Sequence, residues 1–380
     1  MRVIRPKYRA KAARVVDAAV EAAAADILPT TTIVQAGMPD RTLPKSNAGP
    51  GLLAHVLVSK YADHLPLHRQ EQIFKREGLR LSTSTMSDWV QNSSFLLRTI
   101  VDAMREEART APVVLSDATG VLVQAREECR RAHFYVVVVP RKMVLFEFTR
   151  INDGPTVADI LGGFTGKVQV DASSVYHELF RQNPDIIEVG CWAHARRRFF
   201  DCLDIDKDRA MLGIGFIGLL YDAHNASIVD GVIDVAARRR AAVPILDKLK
   251  QWIEKEREQG AGDTPLIKAC NYIHNQWTPL TQFLDHDVRL DNNPAELALR
   301  RIAVGRKNWL FVGSDGGGAA TAVMVSLIAS CALHDIEPWA WLRDLRRAGL
   351  HLRRAVRHRR QVHQRQVRRR RDLRWHPRRC

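Results

Sequence analysis

The chain has 380 residues, 46% of them apolar, with a formal net charge of +16. That length and apolar share are enough for a sizeable core and exclude a wholly disordered chain. Charge is concentrated at one end: residues 343–380 hold 16 arginines against two aspartates, so the other 342 residues carry only +2. A nucleic-acid surface on the body must therefore be local.

Residues 1–50 are polar and proline-bearing, with an Ala-rich helix expected at 10–26, and Gly49-Pro50-Gly51 marks a boundary. The N-terminus lacks a secretory apolar stretch, and no apolar run is expected to span a bilayer, so a cytoplasmic protein without membrane contact is expected. Six scattered cysteines without a C-x-x-C pair give no zinc spacing.

Residues 51–110 turn helical. In "HRQEQIFKREGLRLSTSTMSDWVQ" one helix ends at Gly78, and Ser82 or Thr83 caps a second that turns Met86, Trp89 and Val90 inward. This is the outline of a helix-turn-helix with Thr83, Ser84, Ser87 and Gln91 free to face a DNA groove; a plain helical hairpin reads almost identically.

Strands take over at residue 112. "PVVLSDATGVLVQ", "HFYVVVVP" and "MVLFEFT" predict a three-stranded meander. A helix over Val157–Phe164, a strand "KVQVDA" ending at Asp171, a helix over Ser173–Phe180 and a strand "IIEVGCW" to Trp192 then predict an α/β fold with a mixed sheet flanked by helices. Residues 194–290 contain no strand pattern, and a helical insertion is expected over about 200–288. Asn293 is expected to cap a helix to about Val304, and a Gly-rich loop should precede a helix from Ala319 to Leu333.

Asp117 lies inside an apolar strand, Asp171 at a strand end and Glu296 in a helix's first turn. If the first and fourth strands are neighbours, these acids can converge as hard oxygen ligands for Mg²⁺, and a pair of such ions suits phosphodiester chemistry. Each acid also has a structural reading: Asp117 paired with a buried arginine, Asp171 capping the helix at Ser173, Glu296 in a capping box with Asn293.

The stretches "GPGLLAHVLVSKYADHLPLHRQEQIFKREGLRLSTSTMSDWV", "SDATGVLV", "VQVDASSVY", "VGCWAHARRRFF" and "DNNPAELALRRIAVGRKNWLFVGSDGGGAA" resemble the DDE transposases of the insertion-sequence 66 family, from about Arg2 to Leu342. The resemblance implies a ribonuclease-H-like catalytic domain over 111–342, with Asp117, Asp171 and Glu296 as catalytic acids holding two Mg²⁺ ions, or Mn²⁺ in their place. It implies DNA cutting and joining at insertion-sequence ends, a homo-oligomer on DNA, small accessory proteins of the element and a nucleoid-associated location in bacteria. His194, Arg196 and Arg197 fall on its Cys-Trp-Ala-His-Ala-Arg motif, and Arg300, Arg306 and Lys307 on the basic block after the glutamate; all six are candidates for DNA phosphates, while His194 reads equally well as a satisfied structural histidine and the basic block also as a solvated charged face.

Asp117-Ala118-Thr119 departs from the family's Asp-Glu-Thr. Residues 1–50 read as the remnant of a zinc-binding module and 343–380 as an arginine-rich disordered tail, from a frameshift or as a phosphate grip. The rival expectation is therefore a catalytically inactive, DNA-binding remnant of a transposase.

Overall fold

The structure is a computed structural model, and it describes residues 7–9, 33–35, 43, 46–125, 128–260, 262 and 264–345. The expected Ala-rich helix and nearly all of the arginine tail lie outside the described residues. The chain divides into two units, residues 1–54 with 339–380, and residues 55–338. In the first, β1 (Lys7–Arg9) pairs antiparallel with β2 (Ile33–Gln35), and Trp339 Nε1 donates to the Gly51 carbonyl at 3.1 Å. Helix α1 spans Pro50–Tyr61.

In the second unit α2 (Leu67–Arg76) turns through Gly78, at φ +79°, into α3 (Thr83–Arg109). Ser82 caps α3 by accepting from the Thr85 amide at 3.2 Å, and Met86, Trp89 and Val90 are buried as their spacing predicts.

The meander is β3 (Val113–Val123), β4 (Arg130–Val139) and β5 (Met143–Thr149), with β4 antiparallel to both neighbours. Helix α4 (Gly154–Ile160), capped by Asp153, leads to β6 (Lys167–Gln169). A 3₁₀ turn (Ser174–Tyr176) and α5 (His177–Gln182) lead to β7 (Ile187–Val189). Strands β6 and β7 add in parallel, so the sheet order is β5-β4-β3-β6-β7. The first and fourth strands of this sheet are therefore neighbours.

The strand expected to reach Trp192 stops at Val189, because Trp192 already belongs to α6 (Trp192–Phe200). Its indole is fully buried and donates to the Leu280 carbonyl at 2.8 Å, while its amide donates to Leu290 at 2.9 Å. These bonds tie α6 to a helical region: α7 (Lys207–Ala226), α8 (Val235–Gln259), α9 (Pro265–Asn275) and α10 (Trp277–Thr281). Trp192, Phe199, Ile217, Leu249, Ile273 and Phe283 are the centre of its core. Between α7 and α8 lies one short hairpin, β8 (Ile228–Val229) with β9 (Val232–Ile233), where no strand was expected; two residues a side are too few for a periodicity to register.

Helix α11 spans Asn293–Trp309 and packs on β3 and β4; α12 (Asp315–Leu333) packs along β5 and α3. Helix α11 outruns its expected end by five residues, and its exit is a left-handed residue, Leu310 at φ 61°. The expected Gly-rich loop is instead the first turn of α12, capped by the Ser314 hydroxyl. Gly318 is there for space, since a Cβ would stand 2.5 Å from the Phe148 ring on β5. Gly318→Ala is expected to destabilise the chain by about 1–2 kcal/mol in urea unfolding, because overpacking outweighs the roughly 1 kcal/mol of helix propensity that alanine gains. Contrary to expectation, α12 is long and apolar enough to cross a membrane by length and composition; two-thirds of that window (67%) is buried inside the protein, as in a core helix.

Candidate active site

Pairing in β3 and β6 sets Leu115 opposite Gln169, and carrying that parallel register two residues on brings Asp171 level with Asp117. Asp171 Oδ1 accepts from the Ser173 amide at 3.1 Å, across Ala172 at φ +62°. A non-glycine residue in the left-handed region is strained, and here the strain sits beside a candidate functional acid.

Glu296 reaches the same place from α11. Asn292, fully buried just before that helix, donates from Nδ2 to the Ser116 carbonyl at 2.9 Å and from its amide to Cys191 Sγ at 3.2 Å. One residue therefore ties the start of α11 to the residue preceding Asp117, through its side chain, and to the residue preceding α6, through its backbone amide. Asn293, expected as the cap, is the first helical residue, and no side-chain cap closes this helix. The capping-box role for Glu296 is thus absent, because the amide that would have supported it is turned into the core.

Asp117 is half-buried, and its Oδ1 accepts from the Ala118 amide at 2.7 Å. No arginine or lysine forms an ion pair with Asp117, Asp171 or Glu296 among the described residues, so the buried-arginine role for Asp117 is also absent. Burial first, then the charges of Asp171 and Glu296, raise the Asp117 carboxyl to about 7. Mutual influence of this kind requires the three acids to share one locality. An all-oxygen donor set with uncompensated like charge fits a hard divalent cation.

His194 is in the first turn of α6, with Nε2 3.7 Å from Glu296 Oε1. Its Nδ1 is buried without a partner. Cys191, His194 and Glu296 offer ligand atoms all within 4.8 Å of one another. The Cys191 thiol is pushed up to about 11 by burial, although the amides of Asn292, His194 and Ala193 donate to it. Cys191 and Asn292 were not singled out from the sequence; the signal available was the chemistry of the residues inside the quoted motifs.

Arg196 stacks over the Phe200 ring at 5.2 Å. With Arg197, Tyr221 and Asn293 it lines an open cleft of about 420 Å³ beside the start of α11. Arg300 and Lys307 are exposed on α11. Arg306 spends Nη1 on the Gly120 carbonyl (2.6 Å) and the Thr119 hydroxyl (3.1 Å), holding the stretch of β3 that β6 is too short to pair. Ser84 is exposed and Ser87 half-buried on α3, but Thr83 gives both amide (3.1 Å) and hydroxyl to Glu71 of α2, so it is not free to face a groove.

The sequence profile described as "Transposase IS66 family" matches residues 45–320. Among curated proteins, the chain is similar to the uncharacterized protein y4hP of Sinorhizobium fredii, 31% identical over 82% of this chain and 61% of that protein. It is also similar to the uncharacterized y4qI of the same organism, 30% identical with the same coverage. The chain thus spans about six-tenths of the length of these relatives. The solved Mos1 transposase paired-end complex with left transposon end matches over 68% of this chain and 84% of that one at 6% identity, with a TM-score of 0.17 that carries no weight on the fold. With a profile match over most of its length, motifs included, the chain belongs to the IS66 family of transposases.

Proposed function

We propose that this chain is the catalytic part of a DNA transposase that cuts and joins insertion-sequence ends, with Asp117, Asp171 and Glu296 as its catalytic acids. The observation that carries this reading is geometric: Leu115 pairs with Gln169 two residues before Asp117 and Asp171, and Asn292 bonds the start of α11, which bears Glu296, to Ser116; burial and then the charges of the other two acids raise the Asp117 carboxyl. The family implies divalent metal use; we assign Mg²⁺, or Mn²⁺, to the three carboxylates. Two such ions supply the positive charge that favours both attacking and leaving oxygens of a phosphodiester.

The chain's own residues supply position. Parallel pairing of β3 with β6 sets two acids level, and Asn292 fixes the helix that brings the third. On this reading Arg196 and Arg197, which line the cleft, and Arg300 and Lys307, which are exposed on α11, hold phosphates, His194 stands beside Glu296, and Arg306 acts chiefly by holding β3. Ser84 and Ser87 remain candidates for DNA contact from α3. The meander followed by two parallel strands supports the ribonuclease-H-like reading, with residues 200–288 as its helical insertion and the α2–α3 hairpin as a DNA-binding segment. Multimer assembly on paired DNA ends and accessory proteins of the element complete the proposal.

The test is a strand-cleavage and strand-transfer assay on DNA carrying the element's ends. Mg²⁺-dependent nicks and joined products are expected from the native chain and none from Asp117→Ala. Equal products from both refute the assignment, and salt-dependent DNA binding without cleavage under any divalent metal identifies a DNA-binding remnant instead.

A further inference from the structure

Two donors near Glu296, Cys191 and His194, differ in kind from the oxygen cluster. Cys191 immediately precedes α6 and His194 lies three residues on, so both point to one face of the helix start. The Asn292 amide, bonded to Cys191 Sγ at 3.2 Å, holds that sulfur beside the helix that carries Glu296. Donors about 2.0–2.3 Å from a tetrahedral ion lie roughly 3.3–3.6 Å from each other. His194 Nε2 and Glu296 Oε1 are 3.7 Å apart, and the whole set closes within 4.8 Å. Movement on the order of 1 Å would complete the geometry. Side chains of His194 and Glu296 are 27% and 40% exposed, which leaves an ion a way in, whereas Cys191 is fully buried behind them.

We infer that Cys191, His194 and Glu296 form a second metal site, one that takes a thiophilic divalent cation of the Zn²⁺ class and leaves a fourth position open. A thiolate and an imidazole favour zinc over magnesium, whereas Asp117 and Asp171 offer oxygen alone. Glu296 belongs to both sets. On the functional reading proposed above, occupancy by zinc withdraws the third carboxylate from the oxygen site, so zinc and magnesium act in opposition.

The probe is Co²⁺ alone, titrated into the reduced full chain without magnesium or DNA. Thiolate ligation is expected to give a near-ultraviolet charge-transfer band and tetrahedral visible bands. Zn²⁺ should displace them, and a large excess of Mg²⁺ should not. Cys191→Ser should abolish the charge-transfer band and Cys331→Ser should leave it. His194→Gln, at a partly exposed position where the fold is not at stake, should shift the visible bands. The inference is overturned by the absence of a band in the native chain, by its survival in Cys191→Ser, by displacement with Mg²⁺, or by an unchanged spectrum in His194→Gln. Because the spectrum requires no turnover, a chain that does not cut DNA but shows the band upholds the zinc site, and an active chain without it overturns the zinc site alone.

Discussion

Asp117→Asn is expected to make the metal-free protein more stable while lowering DNA cleavage by about 10³-fold or more. The second figure corresponds to the several kcal/mol that metal-held charge contributes to phosphodiester transfer, at about 1.4 kcal/mol per tenfold. The first follows from linkage. The folded Asp117 carboxyl titrates at about 7, above its ordinary 3.8, because burial and the neighbouring acids disfavour its charge. Its contribution to stability is therefore fully present below pH 4 and is lost as pH rises through about 7. A gap of that size corresponds to at most roughly 4 kcal/mol, and asparagine should recover about 2 kcal/mol of it. Thermal melts in chelator from pH 4 to pH 8 provide the measurement. The advantage of the variant should be near zero at the acid end, grow towards neutrality and level off above it. Added Mg²⁺ should stabilise the native chain more than the variant and so narrow the gap. A native chain no less stable than Asp117→Asn at pH 8 in chelator would mean that neither burial nor the neighbouring acids disfavour the Asp117 charge.

Arg238→Ala should cost roughly 3 kcal/mol of stability, a large effect for one residue of the helical region. Arg238 lies in the first turn of α8, fully buried, and donates to the carbonyls of Val288 (2.9 Å) and His286 (2.6 Å). It also lies 3.3 Å from His224 Nδ1 and over the Phe283 ring. Burial lowers its guanidinium to about 10, so removing it regains some desolvation energy; that gain is smaller than the loss of two charge-assisted bonds and the packing of the stem. Arg238→Met, which keeps an apolar stem over Phe283, should lose less than alanine does. The consequence reaches the site through the chain itself. Residues 286–290 lead into Asp291 and Asn292, and Asn292 places α11 on β3. Arg238→Ala should therefore also weaken divalent-ion binding at the three acids, seen as a smaller rise in melting temperature with Mg²⁺. An unchanged rise would show that α11 is held from β3 alone.

Much of this architecture is local and therefore readable. Alternation in "VVLSDATGVLV" and the continuous apolar run in "HFYVVVV" set two strands before any tertiary contact, and the Ser82 cap with Met86, Trp89 and Val90 set the start of α3. The three acids could be singled out because a carboxylate in an apolar strand needs a partner that its neighbours in sequence do not supply. Helix ends were harder to read. The start of α12 looked like a loop because it is rich in glycine, of which Gly318 leaves room for Phe148, and Trp192 looked like the end of a strand although it opens α6 and donates to the carbonyls of Leu280 and Leu290. No period in the sequence encodes partners about 90 residues away.

Residue types and short-range patterning by themselves determined the meander and the principal helices and singled out three acids as candidates. Tertiary structure alone decided that Leu115 pairs with Gln169, two residues before each aspartate, that Asn292 rather than Asn293 governs the entry to α11, and that Arg306 holds β3. It alone brought a cysteine and a histidine to Glu296. The reason is physical: propensity and periodicity act over a few residues, whereas a site assembled from two strands and two helices is set by sheet register and buried hydrogen bonds between distant segments.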